Sequence, residues 1–161
     1  MASRFDTIVV TCASGSTIGG MVAGFKLAEK LGYETNKTGK RRIIGIQATT
    51  QAPEEITKLV LEYAVNTGSL LGLSSGDITS EDFEIDSRFN AGQYGKLDVK
   101  TSDAIKELAR LEGILTDPVY TGKALAAMLH RLRAGELSQS QQILFVHTGG
   151  QTAISAYPEL K

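Results

Sequence analysis

Tryptophan is absent from the 161-residue chain, histidine occurs twice and cysteine once. A single cysteine, Cys12, excludes an internal disulfide framework and any multi-cysteine metal site. His130 and His147 have no ligand-spaced partners, so no metal is expected. Such sparing use of cysteine fits a reducing, cytoplasmic setting. No apolar run approaches the roughly 18 residues that cross a bilayer, and Met1 to Asp6 show no apolar leader, so neither a membrane nor secretion is expected. The sequon Asn36-Lys37-Thr38 is accordingly read as chance. Neither sign of charge dominates: 17 Lys plus Arg face 18 Asp plus Glu, a formal charge of -1. That balance supplies no electrostatic reason to expect nucleic acid.

What is present describes an ordinary globular protein. Hydrophobic residues make up 42% and charged residues 22%, which excludes disorder, collagen and coiled coil. One domain over residues 1–161 is expected, and a chain of this length buries roughly 70% of its unfolded surface. Thr7 to Cys12 is β-branched and nearly all apolar, as in a strand buried on both faces. Met21, Val22, Phe25, Ala28 and Leu31 then follow a helical stripe, with Gly32 at its end. The basic stretch from Asn36 to Arg42 reads as a solvated loop, with a phosphate-seeking patch as the alternative. Arg42 to Gln47 is the second strand. Pro53 opens a helix whose apolar positions run from Ile56 to Leu71. Residues 72 to 100 are turn-rich, with a possible strand at Phe83-Glu84-Ile85. Thr101 or Ser102 caps a helix closed by Gly113, and Leu125, Met128, Leu129 and Leu132 mark another closed by Gly135. Ile143 to His147 is the last strand. The alternation predicts a three-layer α/β fold with a mainly parallel sheet. Three clear strands are few for such a sheet, which points to an incomplete domain.

The sharpest local feature is Cys12-Ala13-Ser14-Gly15-Ser16-Thr17-Ile18-Gly19-Gly20, between a buried strand and an amphipathic helix. Glycines let the backbone approach a ligand, and hydroxyls with unpaired N–H groups at a helix start favour a phosphate. The alternative is a tight turn without a ligand. Gly-Lys-Ser/Thr is missing, so this is no Walker loop. The second strand ends in Gln47-Ala48-Thr49 without a ribose-binding acid, which disfavours a dinucleotide site. Cys12 reads as buried packing rather than a nucleophile. His130 reads as a surface residue. His147 is read as structural, although it ends a strand where α/β sites collect. Asp117 to Lys123 reads by spacing alone as a Pro-started helix cap.

Three stretches together carry a resemblance. They are Ser14-Gly15-Ser16-Thr17 through Gly20-Met21, then Glu112-Gly113-Ile114-Leu115-Thr116-Asp117-Pro118-Val119-Tyr120-Thr121-Gly122-Lys123-Ala124, then Phe145-Val146-His147-Thr148-Gly149-Gly150. Their order and spacing resemble the C-terminal half of the 1-aminocyclopropane-1-carboxylate (ACC) deaminase / D-cysteine desulfhydrase family. These are pyridoxal-phosphate (PLP) enzymes of the tryptophan synthase β-like fold, fold type II. The likeness runs from Phe5 to Tyr157.

The resemblance implies the large cofactor-binding domain of that fold, incomplete here, with PLP as cofactor and a small amino acid as substrate. It makes Ser14, Gly15, Ser16 and Thr17 the phosphate cradle. It sets Tyr120 and Tyr94 beside the substrate as catalytic tyrosines, although Lys96-Leu97 departs from the usual sequence after Gly95. It places Thr121 opposite the pyridine nitrogen and makes Thr148 cofactor-binding. Deaminases of the cyclopropane substrate carry a glutamate and a leucine at these two positions; Thr121 and Thr148 fit the desulfhydrase type. A hydroxyl makes the ring a weaker electron sink than a carboxylate does, which suits β-elimination. The family's Schiff-base lysine lies in the half without a counterpart here, so the chain is expected to bind PLP and to be inactive alone. Lys123 reads as structural. A homo-oligomer or a complementary chain is expected to cover the sheet. The competing reading is a non-catalytic α/β module that binds a phosphorylated small molecule or a partner protein.

Overall fold

The computed structural model of the chain describes residues 5–33, 41–140 and 142–160. The order of elements is β1 (Thr7–Cys12), α1 (Ser16–Lys30), β2 (Arg42–Gln47), α2 (Pro53–Leu70), β3 (Glu84–Asp86), α3 (Val99–Glu112), α4 (Thr121–Arg133) and β4 (Ile143–Val146). Short 3-10 turns occupy Ser80–Asp82, Gln151–Ala156 and Pro158–Leu160.

The strands form one four-stranded sheet in the order β3-β2-β1-β4, and every pairing is parallel. The three expected strands are therefore contiguous. The faint apolar signal near Phe83 is the fourth strand, shifted by one residue to Glu84–Asp86. β1 pairs with β2 along its whole length, to Cys12 opposite Gln47. Its pairing with β4 ends two residues earlier, at Val10 opposite Val146. Beyond that point the two chains part.

Alternation along β1 sends side chains into two cores, as period-2 geometry requires. Val10 and Cys12 meet Ile18, Val22, Val60 and Ala64 of α1 and α2. Val9 joins Ile44, Ile46, Ala124, Leu125 and Ala127, on the α4 side. The fold is thus three-layered and α/β, as expected. Gly45 lets α1 lie close to the sheet, because a Cβ there would come within 2.7 Å of Ile18 Cδ1.

Several local expectations hold. Pro53 is at the first turn of α2 with Glu54 and Glu55 beside it. Gly113 ends α3, its N–H returning to the Ala109 carbonyl. Others are corrected. α3 begins at Val99, and its cap is Asp98, whose carboxylate accepts from Thr101 N–H at 2.8 Å; Thr101 is buried inside the first turn instead. Leu70 is 89% exposed at the end of α2, outside the core. Most of the basic stretch, residues 36 to 40, lies outside the described residues. Of its remainder, Arg41 Nε donates to the Phe5 carbonyl and its guanidinium stacks 4.3 Å from the Phe25 ring. Arg42 reaches Glu84 at 3.3 Å.

Candidate active site

Two helix N-termini lie near the strand C-termini, and the chain treats them differently. At α4, Asp117 is 1% exposed and its carboxylate accepts from the N–H groups of Val119, Tyr120 and Thr121 at 2.7–2.8 Å. The Thr121 hydroxyl also donates to Asp117 Oδ1 at 2.7 Å and accepts from Asp117 N–H at 3.0 Å. The positive end of α4 is therefore filled by the protein's own anion. At α1, Gly15 precedes the helix with φ 85°, and no side chain caps it. Ser14 Oγ is only 3.4 Å from Ser16 N and pairs with Ser16 Oγ at 3.0 Å. That end of α1 can accept an anion.

A cleft of about 110 Å³ opens there, where β1 and β4 part. Thr11, Ser14, Gly15, Thr17, Tyr120 and Thr148 are among its lining residues. Thr11 Oγ1 is buried and has no hydrogen-bond partner among the described residues. An unpaired buried hydroxyl costs about 1–3 kcal/mol, so this atom fits a polar ligand atom in the cleft. The cradle contains no basic side chain; an anion would rest on backbone N–H groups and hydroxyls.

The structure thus joins Gly15, Ser14, Thr17, Tyr120 and Thr148 around one cleft. Ser16 adjoins it through Ser14. Tyr94 does not line it but meets Tyr120 hydroxyl to hydroxyl, with ring centroids 6.1 Å apart in an edge-on arrangement. The hydrogen bond from Tyr94, with burial added, pushes the Tyr120 phenol up to about 12. Like any phenol it holds its proton at neutral pH, and the contact moves the loss of that proton further into alkali. Thr121 is fully buried outside the lining, with Gly149 O 3.3 Å from its hydroxyl.

His147 acts as a staple. Its Nε2 donates to the Leu115 carbonyl at 2.8 Å, and its Nδ1 accepts from Gly149 N–H at 3.2 Å. These partners assign the neutral tautomer with hydrogen on Nε2. Burial is the main cause that pushes the Cys12 thiol up to about 11, against a hydrogen bond from Gly15. No nucleophile is on offer there. His130 is exposed, against the edge of Phe89. No group of metal-ligating residues occurs among the described residues.

Residues 1–149 match the family described as pyridoxal-phosphate dependent enzyme, and the chain belongs to that family. Over 154 residues it is 40% identical to the 1-aminocyclopropane-1-carboxylate deaminase of Ralstonia nicotianae, covering 96% of this chain and 42% of that protein. It is 38% identical over 155 residues to a probable 1-aminocyclopropane-1-carboxylate deaminase of Schizosaccharomyces pombe, again 42% of that protein. A crystal structure of an ACC deaminase homologue superposes with a TM-score of 0.74 at 28% identity, covering 98% of this chain and 44% of that one. The chain spans about two fifths of the length of these relatives. Its architecture is that of a fold-type-II PLP domain, incomplete.

Proposed function

We propose that this chain supplies the phosphate-binding side of a PLP site in an enzyme that acts on a small amino acid. The observation that carries the reading is the cleft at the uncapped N-terminus of α1, with its unpartnered Thr11 hydroxyl. Bound PLP draws electrons from the α-carbon of an amino acid, the requirement shared by deamination and β-elimination. Ser14, Ser16 and Thr17 orient the phosphate with the N–H groups of the helix start. Thr148 closes the opposite wall. Tyr120, a neutral phenol whose hydroxyl meets that of Tyr94, holds a proton at the cleft. Thr121 is the candidate that faces the ring nitrogen. Its hydroxyl proton is given to Asp117 Oδ1, so serving an unprotonated ring nitrogen requires the hydroxyl to turn from Asp117 and donate to the ring, with a shift of the Gly149–Gly150 turn. A neutral partner of this kind favours a D-cysteine desulfhydrase-like β-elimination over ring opening.

Turnover is proposed to need the additional polypeptide that the longer relatives carry, in the same chain or another. The edges of the sheet suggest where it joins. β3 is three residues long and flanked by Arg88, Arg131 and Glu136. β4 is four apolar residues, all half-buried, with no strand on its outer edge among the described residues. An unpaired apolar edge favours strand addition.

The test is titration of the purified chain with PLP and with inorganic phosphate, followed by calorimetry. Weak saturable binding of both, competitive with each other, is expected, with no sulfide released from D-cysteine. A folded chain that binds neither overturns the site assignment. Sulfide release by the chain alone overturns the dependence on further polypeptide.

A further inference from the structure

Lys123 is the largest fully buried side chain among the described residues, at 0% exposure. A buried ammonium loses several kcal/mol of hydration, so its partners show what it is for. Its Nζ donates to the main-chain carbonyl of Asn90 at 2.9 Å, and burial pulls its pKa down while Asp98 and Asp117 oppose the fall. Asn90 opens a short excursion of the chain that is costly to form. Ala91 has φ 61°, and it is the one positive-φ residue other than glycine among the described residues. Gly92 and Gly95 follow at φ 70° and 76°. Tyr94 stands in this excursion, 53% exposed, with its hydroxyl on Tyr120. Each end is fastened. Asn90 is held by Lys123, and the Gly95 carbonyl accepts from Tyr157 Oη at 2.6 Å. Ahead of it, Phe89 is 3% exposed in the α4-side core.

We propose that Lys123 is a positioning residue: its buried ammonium clamps the Asn90–Gly95 segment onto α4 so that Tyr94 is delivered to Tyr120. The inference rests on the reading of Tyr120 as a cleft residue but is independent of whether PLP binds. Lys123 and Tyr120 lie on one helix start, three residues apart, so one element carries both the clamp and the receiving tyrosine. The strained Ala91 explains why a clamp is needed. A segment that stores left-handed strain relaxes unless a fixed contact holds it.

The test uses the cofactor-free chain. Lys123→Met roughly keeps the volume and removes the donor; it leaves the Asn90 carbonyl without its partner, so some loss of stability is expected with the fold retained. The readout is the phenol titration of Tyr120, followed by NMR of ring-labelled tyrosine, with Tyr94→Phe defining the value without its partner. In the wild type the contact with Tyr94 is expected to hold the Tyr120 phenol above its ordinary value. In Lys123→Met it is expected to fall to the Tyr94→Phe value, while the Tyr33 and Tyr63 signals and the circular dichroism stay as in the wild type. A folded Lys123→Met chain whose Tyr120 still titrates as in the wild type overturns the proposal. If that variant fails to fold, hydrogen exchange of the wild-type chain decides. Segment 90–96 is expected to exchange as slowly as the first turns of α4, and exchange at least a hundredfold faster overturns the clamp.

Discussion

Gly15 occupies its position for backbone reasons before any ligand is considered. Its φ of 85° is left-handed, and a Cβ there would lie 3.0 Å from Val60 Cγ2, on the α2 side and not in the cleft. Gly15→Ala is therefore expected to cost about 1–2 kcal/mol of stability through left-handed strain, read as a lower urea midpoint with an unchanged slope. Phosphate affinity should fall with it, because the start of α1 is displaced; full affinity in a destabilised variant would separate the turn from the site. Cys12 gives the second expectation at this scale. With its thiol pushed from 9.0 to about 11, the thiolate fraction near neutrality drops roughly a hundredfold. The native chain should react with a disulfide reagent at least that much more slowly than the chain in urea. Equal rates would mean that β1 opens freely.

Elements with a clean period were legible from the residues alone. β1, β2, β4 and the helices follow from runs such as Thr7–Cys12 and stripes such as Ile56, Val60 and Ala64, because each is a local pattern. β3 was faint, since it is three residues long and two of them, Glu84 and Asp86, are acids. The α3 cap was misassigned because Asp98, Thr101 and Ser102 are all capping types, and only geometry selects among them. The cradle at Ser14 to Thr17 was legible as a strand–glycine–helix turn. The meeting of Tyr94 with Tyr120 was not, because it joins residues 26 apart through an irregular segment; resemblance alone brought both tyrosines to the site. The charge cluster beside β3 was equally hidden. Arg131, 5% exposed at its side chain, contacts Glu84 at 2.6 Å and Asp86 at 3.0 Å, and Arg88 bridges Asp86 to Glu136. Burial pushes the Asp86 carboxyl up, but Arg88 and Arg131 outweigh it and hold it below the ordinary 3.8. A depressed carboxyl stabilises the fold above its unfolded value and loses that contribution as pH falls through its folded one. Thermal stability should therefore be level above about pH 5 and decline below pH 4. In Asp86→Asn the melting temperature at pH 7 should drop and the acid decline flatten; an undiminished decline would assign it to other carboxylates.

At the scale of the whole molecule, helices clothe both faces of the sheet, while among the described residues no strand covers the outer edge of β4. Among the described residues Leu144, half-buried in β4, is paired on the β1 side only. The isolated chain is expected to associate through that flank, by light scattering, and Leu144→Lys to shift it towards monomer by charging the edge. An unaltered monomer for both would mean that the flank is already protected. The relatives are more than twice as long, and a lone strand flank is where such additional chain gains most by joining.

The early end of the β1–β4 pairing has one more implication. The crevice exists because two neighbouring strands diverge after Val10 and Val146 while β1 and β2 continue together. Its address is thus a property of hydrogen-bond register, shared by every side-chain set that the sheet can carry. Replacing Thr148 or Tyr120 changes what is held there without moving the place. Chemistry in this architecture can therefore drift by substitution at a fixed location, whereas relocating the site would require the sheet to be re-paired.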